Sequence, residues 1–226
     1  YGEEAMLCAA NVRIAGLPQS FYAVWDRREL RERTVFRPGA VAVDGVVRFP
    51  GADLRWEPDG AAMEVTSRHG RGVIWTRKTP VVARGTLDGR AVELRGLVDD
   101  SAGYHARETA WRWCAGVGES PAGERLAWNL VAGVHDAPAS SERTIWVDGA
   151  SREVAPVTFA EDLSWVRGAG GEELRFAEEA RRARRDDLKV FASDYVQPFG
   201  TFSGTLPGGV EVARGWGVTE RHQVRW

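Results

Sequence analysis

The chain has 226 residues, enough for one large β domain or two small ones. Lys and Arg total 30 against 32 Asp and Glu, a formal net charge of −2. That balance lacks the basic surplus polyanion binding needs, so no nucleic acid is expected as partner.

Two cysteines, Cys8 and Cys114, are too few for a disulfide framework. They read as two buried small side chains in a reducing, cytoplasmic compartment. No apolar run approaches the length of a membrane span, so no membrane partner is expected. The chain begins at Tyr1 with no initiator Met and no visible signal peptide, so an upstream N-terminal segment is expected to be missing.

Apolar and polar residues alternate with a period of two almost throughout. The first clear strands are 21–27, then 41–49 with a turn at Asp44-Gly45, 52–56 and 61–67, with Asp59-Gly60 between the last two. Strands follow at 72–78, 81–87 and 91–98, the last two joined by Asp88-Gly89. The stretch 99–105 then reads as a loop at a barrel rim. Further strands are expected at 107–115, 126–131, 143–147, 153–159, 163–167 and 173–176. A charged, alanine-rich segment, 176–188, breaks the pattern. Phe176, Ala180 and Ala183 have helical spacing there, which predicts a short surface helix or a long loop. The final strands are 189–193, 199–206, 210–214 and 218–226. Roughly sixteen short strands with Gly and Asp-Gly punctuation suit an antiparallel barrel or sandwich. No strand–helix–strand alternation points to a parallel sheet.

Signatures of hydrolases, zinc proteases, P-loops and dinucleotide folds are absent, and the four histidines have no local metal-ligand spacing. No metal and no cofactor are therefore expected. What remains is polar residues on faces that should be buried. Alternation puts Glu220 and His222 on the apolar face of the last strand, where they need partners. They read either as a structural pair or as a proton-transfer pair. Arg107, Trp111 and Trp113 share one face of their strand, as an aromatic cavity wall with a cationic end or as plain cation–π packing. Just upstream, Asp99, Asp100, Ser101, Tyr104 and His105 crowd a few positions, as turn chemistry or as a functional rim. Asn129, Glu142, Trp146, Tyr195 and Gln197 read first as structural groups and second as ligand contacts. The 10 tryptophans fill a core or line a ligand cavity.

At these same residues the chain resembles a bacterial family catalogued as domain of unknown function 2804. The resemblance is carried by 75–80 (WTRKTP), 100–113 (DSAGYHARETAWRW), 128–133 (WNLVAG), 141–149 (SERTIWVDG), 195–204 (YVQPFGTFSG) and 217–222 (GVTERH). More distantly it resembles the carotenoid hydratase and AttH-like proteins. Their Asp-His-x-Trp-Gly motif falls on residues 99–103, where Asp99 and Gly103 match while Asp100 and Ala102 replace its His and Trp. This resemblance implies an all-β, calycin or lipocalin-like antiparallel barrel architecture and an apolar ligand. The expected unit is 1–226, with two pseudo-repeated barrel halves meeting near 98–106 as its internal division.

The favoured function is binding of a hydrophobic or polycyclic small molecule in a Trp-lined cavity, with cofactor-independent acid–base chemistry of the isomerase, hydratase or cyclase type. Asp99 or Asp100 is then the proton donor, His105 or the Glu220–His222 pair the relay, and Tyr104 and Arg107 orient a polar ligand group. The alternatives are a non-catalytic hydrophobic-ligand carrier or sensor, and a carbohydrate-binding β-sandwich with its tryptophans on an exposed flat face. A cavity-facing carboxylate with a strongly raised pKa favours the enzyme.

Overall fold

Tight turns and alternating β-branched residues dictate the elements, and a computed structural model of the chain describes residues 1–37, 41, 43–188 and 191–226. A first sheet joins β1 (Met6–Ile14), β2 (Leu17–Trp25) and β3 (Leu30–Val35) in that order. The second contains β4 (Val46–Phe49), β5 (Ala52–Pro58), β6 (Met63–His69), β7 (Gly72–Leu87) and β8 (Arg90–Gly103). Along one edge of β7, β6 pairs with its first half and β5 with its second; β8 pairs with it along its whole length.

The third sheet holds β9 (Glu108–Glu119), β10 (Arg125–Ala132), β11 (Thr144–Val147), β12 (Ala150–Glu153), β13 (Val157–Phe159), β14 (Trp165–Gly168), β15 (Glu173–Leu188), β16 (Phe191–Leu206) and β17 (Val210–Arg225). Its order is β12-β11-β10-β9-β17-β16-β15-β14-β13, all antiparallel, and it curls until β13 meets β10. The result is two strongly curled half-barrels with no helix among the described residues.

Each face finds a core. Trp128, Leu130, Leu174, Phe176 and Phe202 fill the inside of the curled third sheet. Val24, Phe49, Ala52 and Leu87 join the first two sheets. The remaining face of the third sheet packs on the N-terminal sheets, through Met6, Ala23, Phe199 and Val218 at one place and Val117, Ala127 and Trp146 at another. Side chains also reach across to backbone. Arg95 donates to the carbonyls of Gly118 (3.1 Å) and Leu126 (3.2 Å), and Trp146 Nε1 donates to that of Ala61 (2.7 Å). None of the ten tryptophans is exposed, so the flat aromatic face of a carbohydrate-binding sandwich is not present.

The strand pattern departs from the sequence reading in instructive places. Residues 176–188 form β15, not a helix or loop. Its ladder to β16 runs from Leu174↔Gly204 to Leu188↔Phe191, interrupted where the register passes from Glu178↔Gly200 to Ala180↔Phe199. The extra residue, Glu179, makes a β-bulge that puts Phe176 and Ala180 on opposite faces, while Ala183 is exposed, so the helical spacing marks no shared face. Residues 99–103 are no loop either: they finish β8, with Lys78↔Asp99 and Arg77↔Asp100 as register pairs. The breaks expected near Thr79 and Gly215 are absent, because β7 and β17 run straight through. Strands β1 and β3 escaped the sequence reading. In the expected strands 41–49 and 189–193, Ala42, Lys189 and Val190 lie outside the described residues.

Bulges also reassign faces. Before the bulge, Leu174 and Phe176 of β15 point into the third sheet's own core; after it, Arg182 contacts Cys8 on β1. A register shift between Phe202 and Gly204 does the same for β17. Val212 faces the inner core, whereas Val218, of the same parity, faces the N-terminal sheets.

The close approach of Trp128 demands glycine nearby. A Cβ built on Gly116 would lie 2.3 Å from the Trp128 ring, whereas one on Gly96 meets nothing within 4 Å. Gly116→Ala is therefore expected to cost about 2 kcal/mol or more through overpacking. Gly96→Ala should stay within about 0.5 kcal/mol of the parent. Denaturant midpoints of the two variants check both values.

Candidate functional site

The reassigned face of β17 meets β9 and β16 at Glu220. Glu220 and Trp113 are register partners, as are His222 and Trp111. Glu220 is 8% exposed. Its Oε1 accepts from Trp111 Nε1 at 2.7 Å and its Oε2 from Gln197 Nε2 at 2.9 Å. The Gln197 oxygen in turn accepts from Arg182 Nη1 at 3.2 Å and from the Cys8 thiol at 3.8 Å. Arg182 is buried and ends on Glu32 of β3, whose carboxylate lies 2.8 Å from its Nε. The His222 ring lies 4.5 Å from that of Trp111 and 5.1 Å from that of Tyr195, and its Nε2 is 2.8 Å from the Ser193 hydroxyl.

A second polar group sits where β7, β8 and the segment before β11 converge. Lys78 is only 4% exposed, and its ammonium lies 2.6 Å from Asp99 and 3.7 Å from Glu142. The carbonyl of Glu142 accepts from Asn129, whose own oxygen accepts from Trp113 Nε1 at 2.7 Å. The phenol of Tyr1 lies within electrostatic reach of both Glu220 and Asp99.

Electrostatics separates them. Burial would lower Lys78, but Asp99 and Glu142 outweigh it and leave its pKa raised. Burial raises Glu142 against the pull of Lys78, whose closer partner is Asp99. Glu220 has no cation in direct contact. Burial pushes it up to about 7, against the hydrogen bonds from Trp111 and Gln197 and the charge of Arg182. Burial holds His222 down to about 4, and His135 likewise, there with help from Lys78. The Tyr195 phenol is raised well above its ordinary value by desolvation and by Glu220, yet the residue stays partly accessible, as do Trp111, Trp113 and His222. These side chains are largely surrounded by protein and still reach solvent. An open surface hollow of about 470 Å³ lies elsewhere, along Trp165, Phe176 and Phe202, and includes none of these groups.

The structure gathers Trp111, Trp113, Tyr195 and Gln197 around Glu220 and His222. Asp99, Asn129 and Glu142 stand at the Lys78 end. Asp100 does not join them, because the register with Arg77 turns it to the opposite face of β8 from Asp99. Tyr104 is 81% exposed, and Arg107 is exposed too. His105 packs against His69 and Trp226, away from the Glu220 hydrogen bonds. Trp146 serves the core and its bond to Ala61. Lys78, Arg182, Cys8 and Tyr1 were not anticipated. Lys78 is one of two lysines in the chain, a rarity that could have singled it out; Arg182 was hidden in the apparent charge run. Cys8 and Cys114 are both free thiols. Among the described residues no group of three or more His, Cys, Asp or Glu is gathered to hold a metal ion.

Two titrations follow. The Glu220 carboxyl should titrate near pH 7, and Trp111→Phe should raise the midpoint by about one unit, since the lost N–H stabilises the charged form. Carboxyl-carbon NMR reads both.

The histidines govern acid stability. Below pH 6.5 the unfolded chain takes up protons that folded His135 and His222 refuse until about 4, so stability falls as pH falls through that window. Glu220 has the opposite sign. Between 4.5 and about 7 the folded chain holds a proton that the unfolded chain lacks, so stability falls as pH rises. His222→Gln should reduce the acid-side loss between pH 6.5 and 4 by roughly 2 kcal/mol. Urea unfolding across this range measures it.

Comparison with known proteins adds the fold's relatives. No curated protein sequence matches the chain. The crystal structure of kievitone hydratase from Nectria haematococca superposes with a TM-score of 0.58 at 9% identity, covering 96% of this chain and 83% of that one. An AttH-like protein of Nitrosomonas europaea superposes with a TM-score of 0.50 at 14% identity, covering 96% and 86% respectively. The architecture is thus the lipocalin-like all-β fold of those proteins, as the sequence resemblance implied. The family model described as Domain of unknown function (DUF2804) matches residues 76–226, which contain all of β8 to β17 and Glu220, and the chain belongs to that family.

Proposed function

We propose that the protein binds an apolar small molecule in a recess between its N-terminal sheets and the third sheet. There it carries out acid–base chemistry of the hydration, isomerisation or cyclisation type, with Glu220 as the proton-transfer group. The observation that carries this reading is a desolvated carboxyl that titrates near neutrality beside partly accessible aromatic rings. At pH 7 both of its forms are populated. The acid delivers a proton to an apolar double bond, and the carboxylate recovers one from water or from substrate. Trp111, Trp113 and Tyr195 are suited to a cation that develops beside them. His222, held neutral and joined to Ser193, is suited to pass the proton outward. Asp99, paired with Lys78, orients a polar ligand group in this scheme. The proton-donor role passes from Asp99 and Asp100 to Glu220. The fold shared with a hydratase favours hydration among the three reaction types.

A carrier would use the same recess, and full hydrogen bonding of both Glu220 oxygens suits a static polar floor. Kievitone and a panel of apolar alkenes, incubated with the protein and analysed by mass spectrometry, separate the two. The enzyme yields an isomer or a product heavier by one water, and Glu220→Gln loses about 100-fold or more of that rate while still quenching tryptophan fluorescence on binding. Equal turnover in Glu220→Gln defeats the assignment. Binding without any product makes the protein a carrier.

A further inference from the structure

The polar atoms around Glu220 share a property: every one that touches its carboxyl is a donor. Trp111 offers only an N–H. Gln197 is ambivalent, since its amide presents either NH₂ or oxygen depending on which way it is turned. Arg182 removes the ambivalence. A guanidinium has donors and no acceptor, so the face of Gln197 that meets Arg182 Nη1 at 3.2 Å must be the oxygen. The Cys8 thiol, 3.8 Å from the same oxygen, accepts from Arg182 Nη1 and is free to donate to that oxygen, so it accommodates this orientation. The amide nitrogen is then obliged to face Glu220, at 2.9 Å. Turning the amide over would set NH₂ against guanidinium and oxygen against carboxylate, two unpaired contacts in a buried site.

Building on the proton-transfer reading of Glu220, we propose that Arg182 is a positioning residue of that site. By clamping the Gln197 oxygen it keeps the amide N–H on Glu220, so the carboxyl meets donors alone. Arg182 reaches this position because the Glu179 bulge turns it to the interface face. It is held there by Glu32 at its Nε and by the rings of Phe21 and Tyr195, 4.9 and 5.6 Å from its guanidinium carbon. The titratable and charged groups around Glu220 are Tyr1, Cys8 of β1, Lys78 of β7, Asp99 of β8, Arg182 of β15, Tyr195 of β16 and His222 of its own strand. Of these, Arg182 and Lys78 are positive; Lys78 is paired with Asp99 and Glu142, so it is the direct charge of Arg182 that must be told apart from its action through Gln197.

A double-mutant cycle read on the Glu220 carboxyl resonance does this. Arg182→Met and Gln197→Met should each raise the midpoint by about one pH unit, with near-UV circular dichroism unchanged. In the Gln197→Met background, Arg182→Met should add less than half of what it does alone. Arg182→Lys, which still donates to the amide oxygen, should restore most of the shift. Glu32→Gln, at the far end of the guanidinium, should leave the midpoint in place and serves as the folded control. An equal shift from Arg182→Met with and without Gln197 overturns the proposal in favour of charge alone; no shift in either background overturns it outright. The titration needs no substrate. If it behaves as expected while no turnover is found, the functional reading fails and the positioning role stands. If turnover depends on Glu220 while the midpoint ignores Arg182, the reverse holds.

Discussion

A β-strand sends successive side chains to opposite faces, so residues of one parity stay on one side for as long as the ladder is regular. In the third sheet both sides are occupied, one by the Trp128 core and the other by the N-terminal sheets. A strand that must serve the inner core at one end and the interface at the other needs its phase reversed partway. The irregularities at Glu178/Ala180 and at Phe202/Gly204 supply that reversal on β15 and β17. Glu179 is also used where it protrudes. Its carboxylate accepts from Trp25 Nε1 at 2.8 Å and pairs with Arg27, tying the bulge to the end of β2. Arg182 and Glu220 reach the interface because of these two shifts.

At that interface two polar groups settle the cost of burial differently. Lys78 is charged and paired with Asp99, and its raised pKa shows the pairing winning over desolvation. Glu220 receives neutral donors and a cation one amide away, which is too little to cancel desolvation. The Lys78 ammonium is thereby held in its charged form. The Glu220 carboxyl is left near the midpoint, where the free-energy gap between its two forms is smallest.

How much of this is legible in the sequence depends on whether period two holds. Where it does, faces are read correctly: Trp111 and Trp113 on one side of β9, Glu220 and His222 on one side of β17, and the all-β class itself. Where one extra residue enters, the reading fails in a definite way. Phe176, Ala180 and Ala183 have helical spacing in composition alone; the bulge at Glu179 puts the first two on opposite faces, and Arg182 is lost among its charged neighbours. The Asp99–Gly103 segment looks like a turn from its composition, yet fourteen-residue pairing with β7 extends it. That pairing sends Asp99 and Asp100 to opposite sides, which local composition does not record. Lys78 is missed for another reason: its rarity marks it, but a lysine on a strand signals solvent unless its partners, far along the chain, are known.

The bulge at Glu179 also leaves β15 open to two kinds of change. Replacing Glu179 by another residue removes an ion pair at the surface and leaves every later side chain where it was. Removing it altogether joins the Glu178↔Gly200 pair directly to Ala180↔Phe199 in a regular ladder, with Arg182 still opposite Gln197. The interior therefore constrains neither the identity of the residue nor the chain length at this one position. Related chains aligned across it are free to differ in both.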